Sequence, residues 1–201
     1  MKICGVRSTA DAEAAAAAGA DAVGVNFFEA SKRFCSSEVA RDIVSAMPRS
    51  VAVFGVFVDA DRSRIARTIE ETGIGGIQLH GAYNSQDAEA WDLPVILAVE
   101  ASSRQNVGRA LDEAAGAGGV YRLLVDSPLG GGSGQRWADQ VVEGLDLSDA
   151  IVAGGLGPSN VMDVIGRFSP WGVDSASGTE SEPGTKDRRL IEEFVANARA
   201  A

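Results

Sequence analysis

Histidine and cysteine are scarce in this 201-residue chain, and each scarcity excludes something. A single histidine, His80, rules out any catalytic scheme that needs two imidazoles. Two cysteines, Cys4 and Cys35, cannot make a disulfide scaffold, and they show no metal-type spacing. Basic residues are outnumbered 18 to 28, a formal charge of −10, which disfavours nucleic acid because neutralising phosphates needs clustered Lys and Arg. An anionic small molecule is still compatible, since one local site can oppose the global charge. No uncharged apolar run approaches the ~20 residues needed to span a bilayer. Met1-Lys2-Ile3-Cys4-Gly5 reaches charge and small residues too early for a signal peptide. The expectation is a cytoplasmic protein without membrane or nucleic-acid partners, with one domain over residues 1–201.

What is present is an alternation. Short apolar, β-rich runs recur at Lys2–Gly5, Ala22–Phe28, Val51–Val58, Gly76–His80, Val95–Val99, Tyr121–Asp126, Ile151–Gly154 and Gly172–Asp174. Helix signals lie between them. Ser8-Thr9 opens Ala10–Ala18, Ser36-Ser37-Glu38 opens Val39–Ala46, and Asp61 opens Arg62–Thr72. Ser85 opens Gln86–Trp91, Ser102–Ala117 reads as a longer helix, and Pro158-Ser159-Asn160 opens Val161–Phe168. A weak helix falls within Arg136–Gly144, and a last one covers about Lys186–Ala200. Eight βα units fit either a (β/α)₈ (TIM) barrel or a long doubly wound sheet. The dinucleotide fingerprint is absent after the first strand, where Val6-Arg7-Ser8 follows Gly5. The α/β class with a single-domain barrel of minimal length is therefore predicted.

Barrel enzymes build their sites at the C-terminal ends of the strands, and polar and glycine residues gather at those ends here. Gly154, Gly155 and Gly178, after strands seven and eight, suit close backbone approach to a phosphate, with Ser177 beside them. The loop Gly130–Gly134 reads equally as a flap over a ligand or as a solvent loop. Cys4 and Asp126 are the candidate acid–base pair. A base role for Cys4 needs its thiolate stabilised, and Lys2 lies on the same strand face; the competing reading is a small buried hydrophobe. Asp126 ends the apolar run Leu123-Leu124-Val125, so its carboxylate requires a ligand or partner. Arg33 suits a carboxylate or is a solvated loop residue. Asp174 orients a ligand or fixes the strand-eight turn, His80 reads as structural, and Trp91, Trp137 and Trp171 read as packing.

Taken in order, these strand ends resemble a known family. Lys2-Ile3-Cys4-Gly5, Gly24-Val25-Asn26-Phe27 with Ser31-Lys32-Arg33, Gly55-Val56-Phe57-Val58 and Gln78-Leu79-His80-Gly81 come first. Asp126 with Gly131-Gly132-Ser133-Gly134, Ala153-Gly154-Gly155-Leu156, Val173-Asp174 with Ser177-Gly178, and Pro183-Gly184-Thr185-Lys186-Asp187 follow. The set is similar to phosphoribosylanthranilate isomerase of tryptophan biosynthesis over essentially the whole chain. The resemblance implies an Amadori rearrangement of a small phosphosugar with no metal or organic cofactor. It implies Asp126 as general acid on the ribose ring oxygen and Cys4, as thiolate, as general base at C2′. Arg33 would meet the anthranilate end, and Gly132, Ser133, Gly134, Gly154, Gly155, Ser177 and Gly178 would cradle the phosphate.

There are departures from the family pattern. Arg7 stands where Thr is usual, Glu29-Ala30 where Pro is common, and Gln135 where Lys is frequent; Ser175-Ala176 varies the turn after Asp174. Two other readings compete: the related sugar-phosphate isomerase of histidine biosynthesis, which carries a carboxylate on strand one, and a non-catalytic phospho-ligand barrel, that is, a binding module. Cys4 argues against the first, and Cys4 together with Asp126 against the second. Monomer and homodimer are both compatible with the sequence.

Overall fold

The computed structural model describes residues 1–127 and 139–201. Eight parallel strands close into a barrel in sequence order: β1 Lys2–Cys4, β2 Ala22–Asn26, β3 Ala52–Val58, β4 Gly76–His80, β5 Val95–Glu100, β6 Val120–Asp126, β7 Ala150–Ala153 and β8 Gly172–Ser175. The last strand pairs with the first, with Lys2 opposite Asp174 and Ile3 opposite Ser175. The helices are α1 Thr9–Ala18, α2 Ser37–Ala46, α3 Arg62–Thr72, α4 Ser85–Ala88, α5 Arg104–Gly116, α6 Asp139–Val142, α7 Val161–Phe168 and α8 Arg188–Ala200. Among the described residues, no helix is long and apolar enough to cross a membrane.

The helix starts follow from capping chemistry. The Ser8, Ser36, Asp61, Ser103 and Asp187 side chains each accept from the backbone N–H three residues on, satisfying a donor the first turn leaves orphaned. Gly19 and Gly73 end α1 and α3 in the left-handed conformation, at φ 96° and 72°.

Strand alternation sorts the apolar residues into two cores. Ile3, Val23, Val25, Phe57, Ile77, Leu79, Leu123, Val125 and Val152 face outward and pack under the helices. Phe54, Ile96, Leu124, Ile151 and Ala153 fill the barrel interior. Gly76 makes room for the Phe54 ring, because a Cβ there would lie 2.4 Å from Phe54 Cε1. The interior is thus largely filled with hydrocarbon, and Cys4, Gln78, Asp126 and Asp174 are the polar residues gathered toward the mouth.

Several boundaries differ from the sequence-based expectation. α4 stops at Ala88 rather than Trp91, after a capping box built on Asn84 and Asp87. The last helix starts at Arg188, because Lys186 belongs to a hairpin that periodicity did not reveal: β9 Glu180–Glu182 with β10 Thr185–Lys186, preceded by a 3₁₀ turn at Ser177–Thr179. Trp91 packs against the core. Trp171, expected as packing, is 46% exposed, edge-on to Tyr121 with the Arg122 guanidinium 4.4 Å from its ring. Trp137 lies outside the described residues.

Phe57, 1% exposed and stacked on Phe27 at 5.3 Å, is with Phe194 one of the largest fully buried side chains of the outer core. Phe57→Ala is expected to cost about 3–5 kcal/mol in denaturant unfolding; a loss below about 1 kcal/mol would show that this layer does not carry the fold.

Candidate active site

At the carboxyl ends of the strands a cavity of about 510 Å³ opens, a size suited to a small ligand. Its lining brings together Cys4, Arg33, Asp126, Gly154, Gly155, Asp174 and Ser177. Asn26, Gln78, His80 and Ser127 complete its polar wall. Gly178 is not in that lining. It packs against the Leu156 carbonyl so tightly that a Cβ would overlap it. Gly132, Ser133, Gly134 and Gln135 lie outside the described residues.

Cys4 ends β1 and shares the inner face with Lys2, as alternation predicts. The neighbouring position on β2 is Gly24, where a Cβ would lie 2.9 Å from Cys4 Sγ and 3.2 Å from Lys2 Cε. Glycine there is what lets a thiol and an ammonium stand side by side. Lys2 does not serve the thiol alone, however. Its Nζ lies 3.0 Å from Asp174 Oδ2, and the two side chains are only 4% and 7% exposed. Burial works against the Lys2 charge, but Asp174 and the Cys4 sulfur outweigh it and raise its pKa. Burial likewise dominates at Cys4. It pushes the thiol up, Asp174 adds to the push, and Lys2 and Lys186 only partly oppose it. The free protein therefore keeps a proton on sulfur.

Asp126 behaves as a strand-end carboxylate above an apolar run should. Burial, then the negative charge of Asp174, push it up to about 6, with Lys2 opposing and Glu100 adding a little. His80 is held neutral, its pKa lowered to about 4 chiefly by burial, and its Nε2 lies 2.6 Å from Gln78 Nε2. Asp174, for which two readings stood open, is the partner of Lys2 inside the barrel.

Arg33 reaches the mouth from the turn after β2, but not as a solvated side chain. Its Nε donates to Glu180 Oε1 at 2.6 Å and its Nη2 to Glu180 Oε2 at 2.8 Å. Burial opposes the Glu180 charge, yet Arg33, Lys186 and the Gly184 N–H hold its carboxyl below the usual range. Glu180 and Lys186 were not read as site residues in the sequence. They lie 147 and 153 positions beyond Arg33, and no local pattern links such partners. Gly154 and Gly155 both adopt positive φ, 89° and 70°, directing the chain after β7 along the cavity rim.

A closed parallel barrel with acid–base groups at its C-terminal mouth defines the class, a (β/α)₈-barrel enzyme. Residues 1–197 match the family of N-(5′-phosphoribosyl)anthranilate (PRA) isomerase. The N-(5′-phosphoribosyl)anthranilate isomerase of Myxococcus xanthus is 38% identical, covering 100% of this chain and 96% of its own. The phosphoribosylanthranilate isomerase of Thermotoga maritima superposes with a TM-score of 0.88 at 34% identity, covering 100% and 98% of the two chains. A phosphoribosylanthranilate isomerase crystallised with reduced 1-(o-carboxyphenylamino)-1-deoxyribulose 5-phosphate superposes with a TM-score of 0.85 at 32% identity, covering 100% and 98%. The chain belongs to the N-(5′-phosphoribosyl)anthranilate isomerase family.

The Asp126 environment has a consequence for stability. Its carboxyl is raised from 3.8 to about 6, so folding favours the protonated form. Ionising it in the folded state costs about 3 kcal/mol, a penalty absent below pH ~4 and complete above pH ~6. Asp126→Asn, which mimics the protonated form, is expected to raise the thermal midpoint at pH 8 and leave it unchanged at pH 4. A midpoint equal to that of the wild type at pH 8 as well as at pH 4 would contradict the desolvated carboxyl.

Proposed function

We propose that this chain is a phosphoribosylanthranilate isomerase of tryptophan biosynthesis. It converts N-(5-phosphoribosyl)anthranilate to 1-(2-carboxyphenylamino)-1-deoxyribulose 5-phosphate, with Asp126 as acid and Cys4 as base. The observation that carries the reading is a buried thiol and a carboxyl raised to about 6 facing one cavity, in a chain of this family. Arg33 takes the anthranilate end, and the backbone around Gly154, Gly155 and Ser177 takes the phosphate, with Gly178 shaping the turn behind it. The aminated carbon of the sugar then lies between the two, over Cys4 and Asp126.

The steps follow from the proton positions. Asp126 protonates the ring oxygen, the bond from that oxygen to C1′ breaks, and the nitrogen lone pair forms a protonated imine. Cys4 thiolate removes the C2′ proton, and the C–H electrons form the enolamine, which tautomerises to the ketone. The cationic imine lowers the barrier to ionising the thiol, because a nearby positive charge favours thiolate. Holding the sugar between fixed groups supplies the rest through orientation.

Each pass leaves sulfur protonated and the carboxylate ionised, which is also the resting arrangement the surroundings favour at neutral pH. The working arrangement is its reverse, a protonated Asp126 beside an ionised Cys4. Both forms carry one proton between the pair, so their ratio does not change with pH while that single proton is present. Below pH ~6 both groups are protonated and no base remains. Above the raised thiol range both are ionised and no acid remains.

Turnover followed by the loss of substrate fluorescence is expected in the wild type, with kcat/KM bell-shaped and its acid limb near pH 6. Cys4→Ala and Asp126→Ala should each lower kcat by at least about 10²-fold, while affinity for the reduced product analogue is largely kept. Full activity in Cys4→Ala would sink the mechanism, and an inactive wild type would favour the binding-module reading.

A further inference from the structure

The hairpin after β8 is absent from the mechanism so far, yet it holds the most closely bonded charged cluster at the mouth. Glu180, at the start of β9, has a side chain only 3% exposed and meets the Arg33 fork with both oxygens. A planar guanidinium has five N–H donors. Glu180 uses the edge formed by Nε and one hydrogen of Nη2. The outer edge, formed by Nη1 and the second hydrogen of Nη2, is geometrically a second bidentate face for a carboxylate. Arg33 itself lines the cavity. Its stem lies directly over Gly5, where a Cβ would come within 2.4 Å of Arg33 Cδ, so the side chain is confined on that side as well.

Charge accounting gives the hairpin a second part. An Arg33–Glu180 pair alone is neutral, and the Glu180 carboxylate would repel another carboxylate approaching the same guanidinium. Lys186, on β10, removes that obstacle. Its Nζ lies 3.5 Å from Glu180 Oε1, its side chain is 1% exposed, and it donates to the Ala176 carbonyl at 2.7 Å. Among the described residues, two cations against one anion leave the cluster with one net positive charge. That charge is what the aromatic carboxylate of the substrate would complete.

We infer that the Glu180–Lys186 hairpin is the specificity element for the aromatic carboxylate. Glu180 fixes the edge of Arg33 that faces the ligand, and Lys186 supplies the charge that admits a second carboxylate. Both are positioning residues that act through Arg33. The inference rests on the reading of Arg33 as the group that meets the anthranilate end.

The test compares two substrates within one preparation, N-(5-phosphoribosyl)anthranilate and N-(5-phosphoribosyl)aniline, which lacks the carboxylate. The ratio of their kcat/KM values is independent of any fraction that fails to fold, and of any effect of Lys186 on Cys4. Wild type is expected to prefer the carboxylated substrate. Glu180→Gln and Lys186→Met should each reduce that preference by about tenfold, with the Glu180→Gln loss falling on KM for the carboxylated substrate. Preference unchanged in both variants, or equal losses on both substrates, would overturn the inference while leaving the Arg33 assignment standing. A wild type that does not discriminate between the substrates would overturn both.

Discussion

The barrel closes where β1 meets β8. β1 is the shortest strand of the barrel at three residues, β8 has four, and the side chains facing inward at that junction are Lys2 and Asp174. A buried ion pair is a poor choice for stability alone, since desolvating both charges offsets their attraction and an apolar pair would close the junction as well. Its position gives it another use. Cys4 is two residues beyond Lys2 on the same face, and Gly24 leaves room for both side chains. The closure therefore places a fixed cation and a fixed anion at the base of the thiol, and both act on its proton affinity.

From that constraint the rest of the site follows. The hydrocarbon plug of Phe54, Ile96, Leu124 and Ile151 fills the barrel below and leaves the strand ends as the place for polar groups. Asp126 is raised because it tops this plug, not because a single neighbour acts on it. Cys4 is raised for the same reason. Desolvation moves a thiol away from its charged form and a carboxyl toward its neutral one. The same physical effect thus keeps Asp126 protonated to higher pH and leaves Cys4 harder to ionise but more basic once ionised. Lys2 and Lys186 limit the second effect without reversing it.

Much of this was legible in the sequence, for identifiable reasons. Short, nearly continuous apolar runs place each strand to within a residue or two, and Ser8, Asp61, Gly19 and Gly73 mark helix ends through chemistry local to the chain. Cys4, Asp126, Gly154 and Gly155 stood out as polar or glycine residues at the ends of apolar runs. What was not legible depends on contacts between distant segments. Nothing near Arg33 announces Glu180, and nothing near Lys2 announces Asp174. Lys186 reads as the start of a helix by propensity, yet its pairing with Glu180 draws it into a strand. Lys2 was expected to stabilise thiolate, and it does oppose burial. That expectation could not include the Asp174 carboxylate, which answers the same charge.

The resting protein keeps its proton on Cys4, and the proposed mechanism has it given up only with substrate bound. Thiolate absorbance titrated in wild type against Cys4→Ser isolates the Cys4 signal, because both proteins retain Cys35. No Cys4 thiolate is expected at pH 7, with an onset only above the ordinary thiol midpoint of ~8.5. A full thiolate signal from the free protein at neutral pH would contradict it.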